Sequence, residues 1–210
     1  MQKSGSAYIY NIINELLIRS GNKSAREIKE KYKLENLMQW HNNNIGELSF
    51  IKIIKLLIIS IKENKFVVKT HDTPSDFHNI LLKMGLIKTI YIYRDPRDVL
   101  LSAQDHGRKI LKNGESHTFA KMINFDDAFK SVKSWTNIYK SYKKVNGILT
   151  VSYEELLSDP LTVLNNICDY LKITVSENEI QNILKKYDRK NPNADMRGMH
   201  FNTGVIKRYF

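Results

Sequence analysis

A single cysteine, Cys168, stands in this chain of 210 residues. No internal disulfide can form, and a zinc site built on several thiolates is excluded. The run Leu164–Leu171 around it reads as a buried helix face. Long apolar runs are missing as well. The most apolar stretch, Leu48–Ile61, contains Lys52 and Lys55, and it is shorter than the ~20 residues a membrane-spanning helix needs. It reads as a buried helix packed on a sheet, with a helix lying in a membrane interface as the alternative; no stable membrane span is expected. Acidic residues are scarce: 22 Asp and Glu against 33 Lys and Arg, a formal charge of +11. That balance suits anionic ligands, although a general Lys-, Ile- and Asn-rich usage explains scattered lysines equally well. No basic cluster interleaved with aromatics stands out, which argues against nucleic acid as a partner. There is no internal repeat and no Walker A loop, whose Gly-Lys-Ser/Thr comes last. No signal-peptide pattern is visible, so a cytoplasmic location is expected.

Three short segments carry chemistry instead. Thr89–Tyr93 is β-branched and aromatic, which favours a strand, and Arg94 follows it directly. Pro96 suits a first helical position, and Val99, Leu100 and Ala103 then recur at helical spacing. An Arg at a strand's carboxyl end beside a helix N-terminus is a natural anion site. The same residues also fit a surface turn in which Arg94, Asp95, Arg97 and Asp98 simply pair. The second segment is Lys3-Ser4-Gly5-Ser6, leading into a helix with apolar Ile9, Ile12, Ile13, Leu16 and Leu17. It offers N–H groups, hydroxyls and a cation to a phosphate or sulfate. In the third, Phe66–Lys69, a short apolar strand delivers Lys69 and His71 together at its end, and His71 becomes a general-base candidate.

Together these segments resemble the sulfotransferase family that uses 3′-phosphoadenosine 5′-phosphosulfate (PAPS). The family's phosphosulfate loop reads like Lys-Ser-Gly-Thr-Thr-Trp; here it is Lys3–Tyr8. Its Lys-Thr-His matches Lys69, Thr70 and His71, and its Arg-Asn/Asp-Pro-Lys/Arg-Asp-Val…Ser matches Arg94–Val99 with Ser102. Its Tyr-Glu-Glu/Asp…Asp-Pro matches Tyr153–Pro160, and its C-terminal His…Gly…Arg segment matches His200, Gly204 and Arg208. The resemblance implies His71, Lys3 and Lys69 as catalytic residues. It implies a cofactor site of Ser4, Gly5, Ser6, Ala7, Tyr8, Arg94, Ser102, Tyr153, Asn202, Thr203 and Gly204. Arg94 and Ser102 would take the 3′-phosphate, Tyr8 and Tyr153 would frame the adenine, and no metal is needed. His71 would accept the acceptor's proton. With an unperturbed pKa near about 6.5, activity is expected to fall below that pH. The acceptor would be a small molecule or glycan offering a hydroxyl or amine.

The departures are specific. Family members begin with a strand before the phosphosulfate loop and continue past the last motif with another helix, so the expected single domain over 1–210 lacks both. Ala7 and Tyr8 stand where a second hydroxyl residue and Trp are usual; Asn202 and Thr203 stand where many relatives carry a cation. A catalytically inactive nucleotide-binding protein and a P-loop nucleotide kinase are the other readings.

The expected fold is α/β: a three-layer α/β/α arrangement with a parallel sheet, P-loop NTPase-like. Strands are predicted at 66–69, 89–93 and 148–151. Helices are predicted at 7–19, 47–62, 75–84, 97–112, 126–144, 160–171 and 176–187, the last opened by a Ser176–Glu179 capping box. Segments 20–46 and 107–124 read as polar and loop-rich. Trp40, His41, His106, His117 and Phe119 there are candidates to line an acceptor pocket.

Overall fold

The computed structural model describes residues 1–114 and 117–188. The elements run α1 (Ser6–Arg19), α2 (Ala25–Lys31), α3 (Phe50–Glu63), α4 (Asp76–Lys83), β1 (Ile90–Tyr93) and α5 (Pro96–Lys112). A 3₁₀ turn follows at Thr118–Ile123. Then come α6 (Phe125–Lys143), β2 (Leu149–Ser152), α7 (Tyr153–Ser158), α8 (Pro160–Leu171) and α9 (Glu177–Lys186). The mixture of helices with a small parallel sheet makes the chain α/β.

β1 and β2 pair in parallel, with Ile90 opposite Leu149 and Tyr93 opposite Ser152. Alternation along the strands sends neighbouring side chains to opposite faces. Ile92 and Val151 join the apolar cluster of α1, α8 and α9, built on Ile12, Leu16, Leu164, Ile167 and Ile180. Tyr91 joins a second cluster with Val99 and Ala103 of α5 and Val132, Trp135 and Tyr142 of α6. A third cluster packs α2 and α3 through Ile28, Leu34, Met38, Leu56 and Ile59. The helices start where chemistry permits. Asp95 caps α5 by accepting from the Arg97 N–H at 2.8 Å, with Pro96 just inside. Ser176 and Glu179 form the expected capping box of α9.

Three expectations need correction. Phe66–Lys69 is not a strand. Lys69 alone makes an isolated parallel bridge, to Asn44, donating to the Asn43 carbonyl at 3.2 Å and accepting from Ile45 N at 2.8 Å. Towards β1 there is no ladder among the described residues. Val67, Val68, Ile90 and Ile92 instead line one cavity of about 1080 Å³. An apolar run is competent for a strand, but only a neighbouring backbone makes it one. Within 20–46, read as loop-rich, lies α2, capped by Ser24, whose Oγ accepts from the Arg26 N–H at 3.2 Å. It buries only Ala25 and Ile28, too weak a pattern for a periodicity argument. Within 107–124 lies the 3₁₀ turn, lying so close to α5 that a Cβ on Gly107 would stand 2.5 Å from the Phe119 carbonyl. The short helix α7 was also missed. Its cap, Ser152, is the last residue of β2 and accepts from Glu155 N at 3.4 Å.

Candidate active site

The site lies where α1, β1, α5 and α7 start or end. Lys3 and Gly5 both have left-handed backbones, with φ of 57° and 79°, and they turn the chain into α1. No side chain caps α1, and no acidic residue sits in its first turn. Its N-terminal N–H groups and the positive end of its dipole are therefore suited to an anion. Ser4 is fully buried, and its hydroxyl donates to the Gln2 carbonyl at 3.4 Å, so it shapes the loop. Ser6 and Ala7 open the helix, and Tyr8 is buried on it.

Arg94 leaves β1 and is only 6% exposed. Its guanidinium lies 4.6 Å from the centroid of the Tyr153 ring and 3.6 Å from an Asp98 carboxylate oxygen. Tyr153 in turn fits against Gly5. A Cβ built there would stand 2.5 Å from a Tyr153 ring carbon, at a φ no side chain adopts freely. The Lys3–Ser6 loop, Tyr153 and Arg94 thus form one stack. Gly5→Ala is expected to displace Tyr153 and the guanidinium above it. The melting temperature should fall, and an anion held by the loop and the guanidinium together should bind at least about tenfold more weakly. Calorimetric titration against a thermal melt separates the two effects.

The alternative reading of Arg94–Asp98 as paired charges is right in part. Arg97 and Asp95 do pair on the surface, at 2.8 Å, but the Arg94–Asp98 pair is buried. Ser102 follows one turn beyond Asp98 and is buried on the same helix. Glu154 joins the two strand ends: it accepts from the Asp95 N–H at 3.1 Å and from the Ser152 hydroxyl at 2.9 Å.

Lys3 and Lys69 share one electrostatic neighbourhood. Burial, with Arg94, Lys69 and Lys109 close by, lowers the Lys3 pKa to about 8, against an opposing pull from Asp105. Burial lowers Lys69 to about 8 too. Burial first, then Lys69, lowers His71 to about 3. The Met1 nitrogen, itself buried, donates to the Ile92 carbonyl at 3.1 Å. The imidazole is thus neutral at any working pH, and no hydrogen bond among the described residues ties it up. The turn around it is pinned on both sides. The Thr70 hydroxyl donates to Gly46 O at 2.5 Å. The Asp72 carboxylate accepts from Leu48 N at 2.8 Å, and the Tyr142 hydroxyl donates to Asp72 O at 3.0 Å.

The acceptor-pocket candidates divide. Phe119 lies under the Lys3 ammonium, 5.6 Å away, and groups with His106 and His117 at ring separations of 4.9 and 5.5 Å. Trp40 is 65% exposed, and it and His41 are held by their backbones, their carbonyls accepting from Lys29 and Arg26. Neither is among the residues that line the cavity beside β1. Asn202, Thr203 and Gly204, with His200 and Arg208, lie outside the described residues. Asp98, Glu154, Thr70 and Asp72 were missed as supports. Thr70, Asp98 and Glu154 lie inside the quoted motifs, and Asp98 also has the four-residue spacing of Arg94, Asp98 and Ser102; Asp72 had no signal of its own.

A family model of the sulfotransferase domain matches residues 1–196. The chain belongs to the sulfotransferase family. It is similar to luciferin sulfotransferase of Photinus pyralis, 33% identical over 130 residues, covering 56% of this chain and 33% of that protein. It is similar to 3-beta-hydroxysteroid sulfotransferase of Cavia porcellus, 28% identical over 106 residues, covering 47% and 36%. It is also similar to amine sulfotransferase of Oryctolagus cuniculus, 28% identical over 113 residues, covering 50% and 36%. The chain spans about a third of the length of these three relatives.

Proposed function

We propose that this chain transfers a sulfuryl group from PAPS to a hydroxyl or amine of a small acceptor. One observation carries the reading: Lys3, Lys69 and a buried Arg94 converge around the uncapped N-terminus of α1. The residues present fit the donor. The α1 N–H groups suit its 5′-phosphate, and Lys3 and Lys69, uncomfortable as buried cations, gain from its sulfate. Arg94 with Ser102 suits a 3′-phosphate, and Tyr8 and Tyr153, buried side by side, suit a purine. When bound, PAPS supplies the sulfuryl group and a good leaving group. His71 takes the acceptor's proton as the new oxygen–sulfur or nitrogen–sulfur bond forms. Lys3 and Lys69 hold positive charge where negative charge gathers during the transfer. The names of the similar luciferin, steroid and amine sulfotransferases support a small-molecule acceptor. The proposed architecture is one domain with three α/β/α layers, P-loop NTPase-like. Apolar clusters on both faces of the β1–β2 pair support it. No helix among the described residues is long and apolar enough to cross a membrane, and a cytoplasmic location is part of the proposal.

The test is transfer of ³⁵S from labelled PAPS to a panel of phenols, sterols, amines and sugars. Label is expected on at least one. A nucleotide-binding protein without turnover is the second reading. It is favoured by the cavity beside β1, which leaves the Lys69–His71 segment without a ladder to β1 among the described residues. Tight adenosine bisphosphate binding with no label transfer would select it.

The pH dependence follows from the shifted groups and corrects the expected acid limb at 6.5. His71, lowered to about 3, stays neutral, so kcat/KM for PAPS is expected to be flat from about pH 5 to 7. Lys3 and Lys69, lowered to about 8, lose their protons as pH rises. The rate should therefore fall on the alkaline side, from about pH 8 upward. A profile that rises through pH 8 would remove the two lysines from charge neutralisation.

A further inference from the structure

We propose that the outer face of α3 binds the surface of an anionic lipid bilayer. The helix is apolar on two sides. Ile53, Leu56 and Ile59 are buried and pack it onto Ile28, Leu34 and Met38. At 3.6 residues per turn, Phe50, Ile51, Ile54, Ile58 and Ile61 share a second arc of roughly 100°, facing the other way. Ile51 is 79% exposed and Ile61 82%, with Phe50 and Ile58 also more than half exposed. A helix with aliphatic side chains at the centre of its solvent face is waiting for a non-aqueous neighbour.

The charges around the arc say which. Exposed Lys55 and Lys62 run along one rim of it. The only carboxylate of the helix, Glu63, is turned inward, where it takes Lys23 at 2.7 Å, Lys31, and the Tyr32 hydroxyl at 2.7 Å. Lys23 and Lys31 remain about half exposed beside the C-terminal end. The outer arc of α3 is therefore apolar and rimmed with cations, and it carries no carboxylate of its own; only at its N-terminal end, where Phe50 meets Phe77 at 4.5 Å, do acids (Glu47, Asp76) come close in sequence. Against a second copy, Lys55 and Lys62 would meet their own kind, between chains that each carry +11. An anionic bilayer matches both features: the isoleucines enter the headgroup–acyl boundary, and the lysines reach up to lipid phosphates.

The test is co-sedimentation of the whole chain with vesicles of phosphatidylcholine containing about 30% phosphatidylserine, against phosphatidylcholine alone. Partitioning is expected to be at least about tenfold stronger on the anionic vesicles and to weaken with salt. Ile58→Asp with Ile61→Asp should lower it about tenfold or more. Lys55→Ala with Lys62→Ala should clearly weaken the salt dependence. Both positions in the Asp pair are solvent-facing, so far-ultraviolet dichroism and adenosine bisphosphate affinity should not change. Equal binding to both vesicle types overturns the proposal, as does undiminished binding by the Asp pair. A dimer, or a complex with an acidic protein, that the Asp pair disrupts in a chain ignoring vesicles would also overturn it, by assigning the face to that partner.

Discussion

Arg94→Ala is expected to erase most of the chain's preference for 3′,5′-adenosine bisphosphate over 5′-AMP. The two nucleotides differ only in the 3′-phosphate, so their affinity ratio isolates what Arg94 does. The guanidinium is held between the Tyr153 ring and the Asp98 carboxylate. It is fixed before a ligand arrives, so a phosphate gains its hydrogen bonds without ordering a long side chain. A charge-assisted contact of this kind contributes roughly 1.5–3 kcal/mol, or about tenfold to a hundredfold in affinity. Affinity for 5′-AMP should change little. Because Arg94 is buried, its removal also strands Asp98, and some stability is lost. Arg94→Lys keeps a charge with less disturbance, yet it cannot form the planar fork and should recover only part of the discrimination. Calorimetry with both nucleotides decides the matter. A wild-type chain that binds the two equally would refute the 3′-phosphate assignment before any variant is made.

How much of this was legible depends on how local each determinant is. α5 was readable because its cap, its Pro96 and its apolar face lie within one short stretch. Arg94 was readable for the same reason; the paired-charge reading was right about the pairing, and only the burial of Arg94 and Asp98 was hidden from the sequence. The Gly5–Tyr153 contact joins residues from opposite ends of the chain, and no local pattern predicts it. Phe66–Lys69 shows the converse error. Its apolar, β-branched residues are right for a strand, but strand formation rests on a neighbour elsewhere in the chain, and here the backbone finds one only at Lys69. α2 was hidden because tertiary packing of two residues, rather than an amphipathic pattern, holds it. α3 was read as a buried helix packed on a sheet; it packs instead on α2 and the segment that follows it, with an exposed outer face, and that second apolar arc becomes visible only once the inner face is known. For His71 the residue was legible and its titration was not. The shift comes from burial and from Lys69, both properties of the folded turn.

His71→Ala is expected to cost about 10²- to 10⁴-fold in kcat, the usual range for a positioned general base, while leaving adenosine bisphosphate affinity within about twofold of the wild type. The two parts of this expectation come from different observations. The rate loss follows from a neutral imidazole, free of hydrogen bonds to described residues, at the end of the segment that carries Lys69. The unchanged affinity follows from the separation of tasks: in the proposed site the nucleotide's anionic groups would be served by the α1 N-terminus, Lys3 and Arg94, none of which needs the imidazole. The turn is pinned by Thr70 and Asp72 rather than by His71, so the Ala variant should keep its shape. Removing the ring also relieves Lys69 of nothing electrostatic, since a neutral imidazole carries no charge to repel it. The alkaline limb near pH 8 should therefore persist in the residual activity. Acceptors with more acidic hydroxyls need less help in losing a proton, so the deficit should shrink along a phenol series as the phenol pKa falls. A deficit independent of acceptor pKa would make His71 a positioning residue, and near-normal turnover would take it out of the mechanism altogether.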